Sequence, residues 1–467
     1  MIKYLYNVVS CRAVAVASEG VARRVIRPFF DFRPQMLRLC LCMTTTLPCL
    51  LATCCFLACS PGRQSATTDQ PLAQILAGLQ ADSLVAKVLR DPAHEVQIIY
   101  TQIDRDAAGR PHFSTFRHRV DSTRYFYPAS MVKLPLALLA LEKINYLQRS
   151  GYPRLTRHVP YRLDSLRRAQ QAYATDATAP DGRPSIGHDI RQIFTVSDND
   201  AANHLFDFLG RAAINASLQE KGYTRTGIVH RLSVIRDNRY ASPIQFYTPT
   251  AGIFKEGERF DDPTLRNPQT GLRKGQGYYR NDSLVQKPFD FREKNWFALT
   301  DMERMLRAVL FPEAMPAASR FRLRDDDYPF LWHYMGIFPR ECDYPRYDTA
   351  TYHDGYVKFF LFGDTPARQS GTIRSFNKVG EAYGTLTDVA YIVDFEHNVE
   401  FILAATLLCN ADGIFNDGQY EYDTVGFPFL ARLGRAVYQH ELKRERKVAP
   451  DLRKFREALA GVGVSKG

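Results

Sequence analysis

Alternating apolar and polar residues mark strands near both ends of the chain. The alternation runs through Glu95–Asp106 and returns in Phe113–Val120, with the turn Ala107–Pro111 between them. A period of two is typical of strands with one buried face, and the short turn predicts a hairpin. Three further strands are predicted toward the other end of the chain, at Arg374–Lys378, Val389–Phe395 and Glu400–Cys409.

Helical spacing of apolar residues dominates between and beyond these strands. The predicted helices are Leu72–Leu89, a helix that begins at Ser130, Ile186–Thr195, Asp200–Leu209, Thr300–Leu310 and the closing helix Leu430–Leu442. This order of elements predicts an α+β fold in two subdomains. One is an antiparallel sheet built from both chain ends and flanked by helices, and the other is an all-helical subdomain inserted between them.

The predicted domain covers residues 72–442. Two stretches inside it, near 236–296 and 311–370, are long and irregular and are predicted to be insertions. Residues 443–467 are predicted to be a charged C-terminal tail. Aromatic residues of the insertions either line an altered cleft or pack the long loops in place. They are Tyr240, Tyr247, Tyr278, Tyr279, Trp296, Trp332 and Tyr334.

An uncharged apolar run at residues 39–59 precedes a polar tether at residues 60–71. A basic start, an apolar middle and small residues before a cysteine predict an export signal over residues 1–59. Cys59 is then the lipidated residue of a lipoprotein. The alternatives are cleavage at Cys54 or a plain membrane anchor, since the run is just long enough to span a bilayer.

Residues before Met36 match neither a signal nor a domain, and translation is expected to begin at Met36. Either form of the signal places the domain outside the cytoplasm. We therefore expect a protein of the bacterial cell envelope, in the periplasm or attached to a membrane.

Composition narrows the classes of function. Hydrophobic residues make up 45% of the 467 residues, as in ordinary globular proteins. The net charge is +11, but there is no dense basic stripe, so nucleic-acid binding is not expected. Only Cys342 and Cys409 lie in the domain, either as one disulfide or as two free thiols, and no CxxC pair suggests zinc. No metal or cofactor is expected, and a monomer is predicted.

Ser130 and Lys133 carry the strongest chemical signal, at the start of an apolar helix. Three residues apart on a helix, their side chains lie on one face. The run Leu134–Leu141 is apolar on all sides, which predicts burial. Burial disfavours the charged lysine, so Lys133 is expected to accept a proton and Ser130 is a candidate nucleophile. The alternative is a serine that only caps the helix.

Two further motifs follow in order. Ser197–Asn199 reads SDN between two predicted helices, and Lys378–Gly380 reads KVG on a predicted strand. Together with the SMVK sequence of Ser130–Lys133, they resemble the class A β-lactamase-like family of serine hydrolases and penicillin-recognising enzymes. The motifs of that family are SxxK, SDN and KTG. The resemblance spans about residues 72–442.

The resemblance implies four catalytic residues. Ser130 attacks an acyl carbonyl and becomes acylated, and Lys133 is the candidate base for that step. Ser197 relays a proton to the leaving nitrogen. Lys378 adds positive charge near Ser197 and the substrate.

The resemblance also implies groups that bind the substrate. Asn199 orients it, and Gly380 belongs to the strand along which it lies. The oxyanion hole is expected to consist of the backbone N–H groups of Ser130 and Glu381, which does not require the side chain of Glu381.

Two departures from the family pattern affect the expected activity. The stretch Val229–Asn238 lacks the ExxLN glutamate that positions the deacylating water, and Asp237 is its only carboxylate and the only candidate replacement. Losing a general base costs about two to four orders of magnitude in rate, so efficient β-lactamase turnover is not expected. Val379 replaces a hydroxyl that contacts the carboxylate of the substrate, which weakens binding of that group.

The sequence therefore predicts a cell-envelope serine hydrolase that forms an acyl-enzyme at Ser130. Its expected substrate is an amide or ester, either a β-lactam or a peptidoglycan peptide, and it is expected to be a poor β-lactamase. The alternative is a catalytically impaired, lipid-anchored protein that acts only by binding peptidoglycan or penicillin. The expected partners are the substrate and a membrane.

Overall fold

The computed structural model describes residues 70–167, 170–234, 237–261 and 265–461. The predicted export signal, with its lipidated Cys59, lies outside the described residues. None of the described helices combines the length and the apolar character needed to cross a bilayer.

A five-stranded antiparallel sheet joins the two ends of the described chain. Its strands are Gln97–Arg105 (β1), Pro111–His118 (β2), Ile373–Ala382 (β3), Thr385–Asp394 (β4) and Val399–Leu408 (β5). Their order across the sheet is β3-β4-β5-β1-β2, so the hairpin β1-β2 pairs with the last strand of the chain. The prediction of one sheet built from both chain ends is confirmed.

Ten helices of seven or more residues accompany the sheet in the described part of the chain. They are Leu72–Gly78 (α1), Ser83–Arg90 (α2), Lys133–Arg149 (α3), Ile186–Val196 (α4), Asn199–Leu209 (α5), Arg211–Glu220 (α6), Leu299–Leu310 (α7), Asp327–Gly336 (α8), Phe427–Lys443 (α9) and Arg453–Leu459 (α10). The α+β class is therefore confirmed.

Both faces of the sheet are buried, because successive side chains along a strand point to opposite faces. Ile99 and Ile402 belong to the core formed with the helices inserted between β2 and β3. Ile98 and Phe401 belong to a second core, formed with α1, α2 and α9. The sheet thus separates two hydrophobic layers, and the inserted helices cover one of them.

The inserted region is mainly helical and also contains short strands. Their bounds are Tyr161–Leu163, Thr226–Gly227, Tyr240–Ala241, Ile244–Thr248, Ala251–Glu256, Arg259–Phe260, Arg273–Lys274, Gly277–Arg280, Ser283–Val285, Phe289–Asp290 and Trp296–Phe297. A last short strand, Ile414–Phe415, pairs with Gly277–Arg280 from outside the insert. These strands come from the sequence stretches that lack any clear periodicity.

The C-terminal segment differs from the charged tail predicted for it. Helix α10 packs on the core, and Phe455 is fully buried against the rings of Phe376 and Tyr391, with centroids 5.1 and 5.0 Å away. Leu452, Phe455 and Leu459 recur at helical spacing among charged neighbours, which gives the segment one apolar face.

Cys342 and Cys409 are both buried, and each carries a free thiol. Of the two alternatives for this pair, a disulfide or two free thiols, the structure has two free thiols.

Candidate active site

Ser130 lies on a single 3-10 turn, Ala129–Val132, directly before α3. Ala129 has a φ of +47°, a conformation that residues with a side chain rarely adopt. Such strain persists only where the surrounding structure enforces it, and it concentrates at functional sites. Met131 and Val132 are buried while Ser130 is half-buried, so the turn directs the serine to a cavity of about 460 Å³.

Lys133 is the first residue of α3, and its side chain is completely buried. Its Nζ donates to Asn199 Oδ1 at 2.7 Å, to Ser197 Oγ at 3.2 Å and to the carbonyl oxygen of Ser197. Burial lowers the pKa of Lys133 to about 7, against the opposing effect of Asp198 and Asp200. A lysine of this kind can exchange a proton near neutral pH.

Among the described contacts, Lys133 makes no hydrogen bond to Ser130. Its three bonds all go to Ser197 and Asn199. Catalytic hydrogen bonds are often long in the free enzyme and tighten when substrate binds. A proton from Ser130 therefore reaches Lys133 only if one of these side chains moves or a water lies between them.

Ser197 ends α4 in a left-handed conformation, with a φ of +60°. This conformation turns the chain sharply, so that both the carbonyl and the hydroxyl of Ser197 face Lys133. Asp198 caps α5 by accepting a hydrogen bond from the N–H of Ala201 at 2.8 Å. Asp198 is therefore structural, and it sets the start of the helix on which Asn199 lies.

Lys378 reaches the same hydroxyl from the edge strand β3. Its Nζ donates to Ser197 Oγ at 2.7 Å and to the carbonyl oxygen of Val379 at 3.0 Å. Burial, followed by the charge of Lys133, lowers the pKa of Lys378 well below its ordinary value. Two lysines thus flank one serine hydroxyl in a buried place, which disfavours full charge on both of them.

Gly380 lets β3 approach the turn that carries Ser130. A Cβ at this position would lie 2.5 Å from the carbonyl oxygen of Pro128 and 3.0 Å from Cγ of Met131. Only glycine fits, so the residue type fixes the distance between strand and turn. Glu381 follows directly and also lines the cavity.

The stretch that lacks the family's glutamate contains no substitute among its described residues. Asp237 is exposed, and its carboxylate accepts hydrogen bonds from Arg239 at 2.7 and 3.0 Å. The bonds from Arg239 lower the pKa of Asp237 to about 2. Ser233 is the residue of this stretch that contacts the SDN motif, because its Oγ accepts a hydrogen bond from Nδ2 of Asn199 at 3.1 Å.

One wall of the cavity comes from the second insertion, which the sequence analysis did not assign to the site. Thr351, His353 and Tyr356 line it, and Asp423 lines it from the segment before α9. No periodicity or motif marks these positions. The aromatic residues that the sequence offered as cleft residues do not line this cavity, and Trp332 instead donates from Nε1 to the carbonyl oxygen of Val309 at 3.0 Å.

A buried polar network lies next to Lys378 and was not predicted from the sequence. Lys358 Nζ donates to Asn377 Oδ1 and to the carbonyl oxygen of Ser375, each at 2.8 Å. Asn377 Nδ2 donates in turn to Asp388 Oδ1 at 2.8 Å. The network supports the strand pair β3-β4 next to the KVG motif.

No group of three His, Cys, Asp or Glu side chains suited to a metal ion occurs within the described ranges. The arrangement can do the chemistry of a serine with lysine neighbours. It offers a half-buried hydroxyl, an amine able to accept its proton, and a second serine held by two lysines.

Comparisons with known proteins give a family match and several solved structures. A model of the beta-lactamase enzyme family matches residues 80–323. The β-lactamase of Sphaerobacter thermophilus is 14% identical, with a TM-score of 0.41 over 79% of this chain and 96% of that chain. The β-lactamase of Desulfarculus baarsii is 18% identical, with a TM-score of 0.40 over 80% and 98%.

A further solved structure, the β-lactamase of Streptomyces albus G, is 14% identical, with a TM-score of 0.41 over 78% of this chain and 98% of that chain. No curated protein matches the chain. The family model covers more than half of the sequence. The chain therefore belongs to the beta-lactamase enzyme family, as a serine hydrolase of the β-lactamase type.

Proposed function

We propose that the protein forms an acyl-enzyme at Ser130 with an amide or ester substrate. The observation that carries the proposal is the hydroxyl of Ser197, which two buried lysines, Lys133 and Lys378, hold at 3.2 and 2.7 Å at the cavity that contains Ser130. Burying two amines around one serine is unfavourable in free energy, and a purely structural role would not offset that cost.

The proposed reaction begins when Ser130 Oγ attacks the carbonyl carbon of the substrate. Its proton passes to neutral Lys133, and the backbone N–H groups of Ser130 and Glu381 stabilise the oxyanion. When the tetrahedral intermediate collapses, the bond to the leaving group breaks. Ser197 passes a proton to that leaving group and is reprotonated by the adjacent lysines, so the ester at Ser130 is the product of this half-reaction.

Release of the acyl group is proposed to be slow. The described part of Val229–Asn238 brings a hydroxyl, that of Ser233, to Asn199 and no carboxylate, and Asp237 is held by Arg239. Because a positioned general base contributes about two to four orders of magnitude, the acyl-enzyme should accumulate. Candidate substrates are therefore β-lactams, processed poorly, and peptidoglycan peptides.

We place this reaction in the bacterial cell envelope. The support is the uncharged run at residues 39–59, which ends at Cys59. Cell fractionation tests the placement, because Cys59→Ser should move the protein from the membrane to the soluble fraction. A protein that stays soluble in the cytoplasm in both forms would contradict it.

Intact-mass measurement tests the proposed acylation. The protein is incubated with a panel of β-lactams and one activated ester, and the mass is followed over time. We expect a gain of one acyl group that is absent in Ser130→Ala and present in Ser283→Ala, which loses an exposed hydroxyl that does not line the cavity. If no probe forms an adduct while peptidoglycan fragments bind equally to wild type and Ser130→Ala, the protein is the binding-only alternative.

A further inference from the structure

The cavity that contains Ser130 is lined by acidic side chains without a basic counterpart. Its charged lining residues in the described chain are Glu381 and Asp423, and no arginine or lysine lines it. Lys133 and Lys378 contact Ser197, but both are buried and neither lines the cavity. His353 also lines the cavity, and burial lowers its pKa below the ordinary value, so it adds no positive charge at neutral pH.

The two carboxylates approach each other from different elements. Glu381 lies on β3, and Asp423 belongs to the turn Tyr422–Gly426 before α9. Both side chains are exposed to solvent, and loss of hydration, followed by the charge of Asp423, raises the pKa of Glu381 to about 7. Neither residue forms an ion pair within the described part of the chain, unlike Asp207, which pairs with Arg231. A cation bound between them would favour the ionised form of Glu381, because an opposite charge nearby lowers the pKa of a carboxyl group.

An exposed aromatic ring faces the same space. Tyr356 lines the cavity and is 38% exposed. Burial and Tyr352 raise its pKa most, and smaller contributions in the same direction come from Glu381 and Asp198, so the hydroxyl of Tyr356 lies near the acidic residues of the cavity and near the SDN motif. An aromatic face beside carboxylates is the arrangement by which proteins recognise ammonium groups.

Val379, the neighbour of Glu381, also lines the cavity and presents no polar atom from its side chain. The wall between Lys378 and Glu381 therefore offers a carboxylate no hydroxyl and no guanidinium. A substrate carboxylate placed there would face Glu381 and Asp423, and this juxtaposition is repulsive.

We propose that the substrate carries a cationic group, a primary ammonium or a guanidinium, which Glu381, Asp423 and the ring of Tyr356 bind while Ser130 is acylated. This inference rests on the proposed function, since it names the class of substrate for the same site. The cationic group is the specificity determinant, and a carboxylate in its place is rejected.

The test uses three activated esters that share one acyl chain and differ only at its far end. All three are p-nitrophenyl esters. The 6-aminohexanoate ester ends in an ammonium group, the heptanoate ester in a methyl group and the pimelate ester in a carboxylate. The second-order rate of acylation is measured from the burst of nitrophenolate, and the adduct on Ser130 is verified by mass. We expect the ammonium ester to react about tenfold or more faster than the methyl ester, and the carboxylate ester slowest.

Charge-neutral variants connect this preference to the acidic wall. Glu381→Gln, Asp423→Asn and their combination should bring the ammonium-to-methyl rate ratio close to one. Because the readout is a ratio of two rates for the same variant, a general loss of activity affects both rates equally and leaves the ratio unchanged. Glu457→Gln removes an exposed carboxylate of α10 outside the cavity lining and should leave the ratio as in wild type.

The outcomes separate this inference from the function on which it rests. If no ester acylates Ser130, both fail. If the esters acylate Ser130 but the ammonium ester has no advantage, or the double variant keeps that advantage, only the inference of a cationic substrate is overturned.

Discussion

Gly380 lies against Pro128 so closely that a Cβ on the glycine would come within 2.5 Å of the proline carbonyl oxygen. This contact joins the edge strand of the sheet to the turn that carries Ser130. The nearest atom to such a Cβ belongs to the backbone, which cannot rotate away as a side chain can. A side chain at position 380 can therefore be accommodated only if the strand or the turn shifts.

Gly380→Ala should therefore impair acylation more than folding. We expect the acylation rate to fall by about a hundredfold, since a displacement of 1 Å at an active site costs about this much. The measurement is the rate of adduct formation together with the circular dichroism spectrum. Gly257→Ala is the matched control, because nothing lies within 4 Å of a Cβ there. Equal rates for the two variants would contradict the argument.

The rate of acylation should rise with pH through about 7. Burial lowers the pKa of Lys133 to about 7, so the amine is protonated below that pH and cannot accept the proton of Ser130. The rate should fall about tenfold per pH unit on the acidic side and level off above pH 7 to 8. An ordinary lysine would instead give a rise near its usual pKa of 10.5.

Lys133→Arg is the control for this profile. The guanidinium keeps the positive charge but does not lose its proton in this range. We expect the variant to acylate at a rate below detection across the profile. A variant that keeps the wild-type pH dependence would assign the titration to another group.

Lys358→Met should destabilise the fold. The substitution leaves the carbonyl oxygen of Ser375 and Oδ1 of Asn377 without their buried donor, and each loses a bond of 2.8 Å. We expect the free energy of unfolding to fall by about 3 kcal/mol, measured by denaturant titration. Lys287→Met, at an exposed lysine, should change it by less than about 0.5 kcal/mol. A loss of the same size in both variants would mean that the Lys358 network contributes nothing specific.

The strands were predictable because apolar residues repeat with the period of each element. The strand β4 was found only in part, since prediction placed its start at Val389 and the structure places it at Thr385. The strand residues that the prediction omitted include Asp388. Its carboxylate is fully buried and accepts hydrogen bonds from Asn377 and from the N–H of Phe360. A buried carboxylate with partners from distant segments interrupts the apolar pattern, and its partners cannot be identified from local sequence.

The motif residues could be located in sequence because their spacing is local to a turn, a helix junction and a strand. The structure brings Ser130 and Ser197 to one cavity, and Lys378 contacts the hydroxyl of Ser197 from β3. Tyr356 and Asp423 could not be placed there, because they reach the cavity through irregular loops whose paths depend on long-range packing. For the same reason, the contact between Asn199 and Ser233 is visible only in the fold.

The acyl-enzyme should persist for minutes or longer, and Asp237 should have no part in its decay. Asp237→Asn removes a carboxylate that is exposed and held by Arg239, so the lifetime of the adduct should change less than about twofold. The lifetime is read from the mass of the protein after excess probe is removed. A much longer lifetime in the variant would identify Asp237 as the general base for deacylation.

Peptide mapping of the acylated protein tests the central claim most directly. Trypsin releases Tyr125–Lys133, a peptide in which Ser130 is the only serine. After incubation with an activated ester or a β-lactam, fragmentation of this peptide should place the added acyl mass on Ser130, and the Ser130→Ala protein should carry no adduct. An adduct on any other residue, or one that forms equally in Ser130→Ala, would contradict the assignment of Ser130 as the nucleophile.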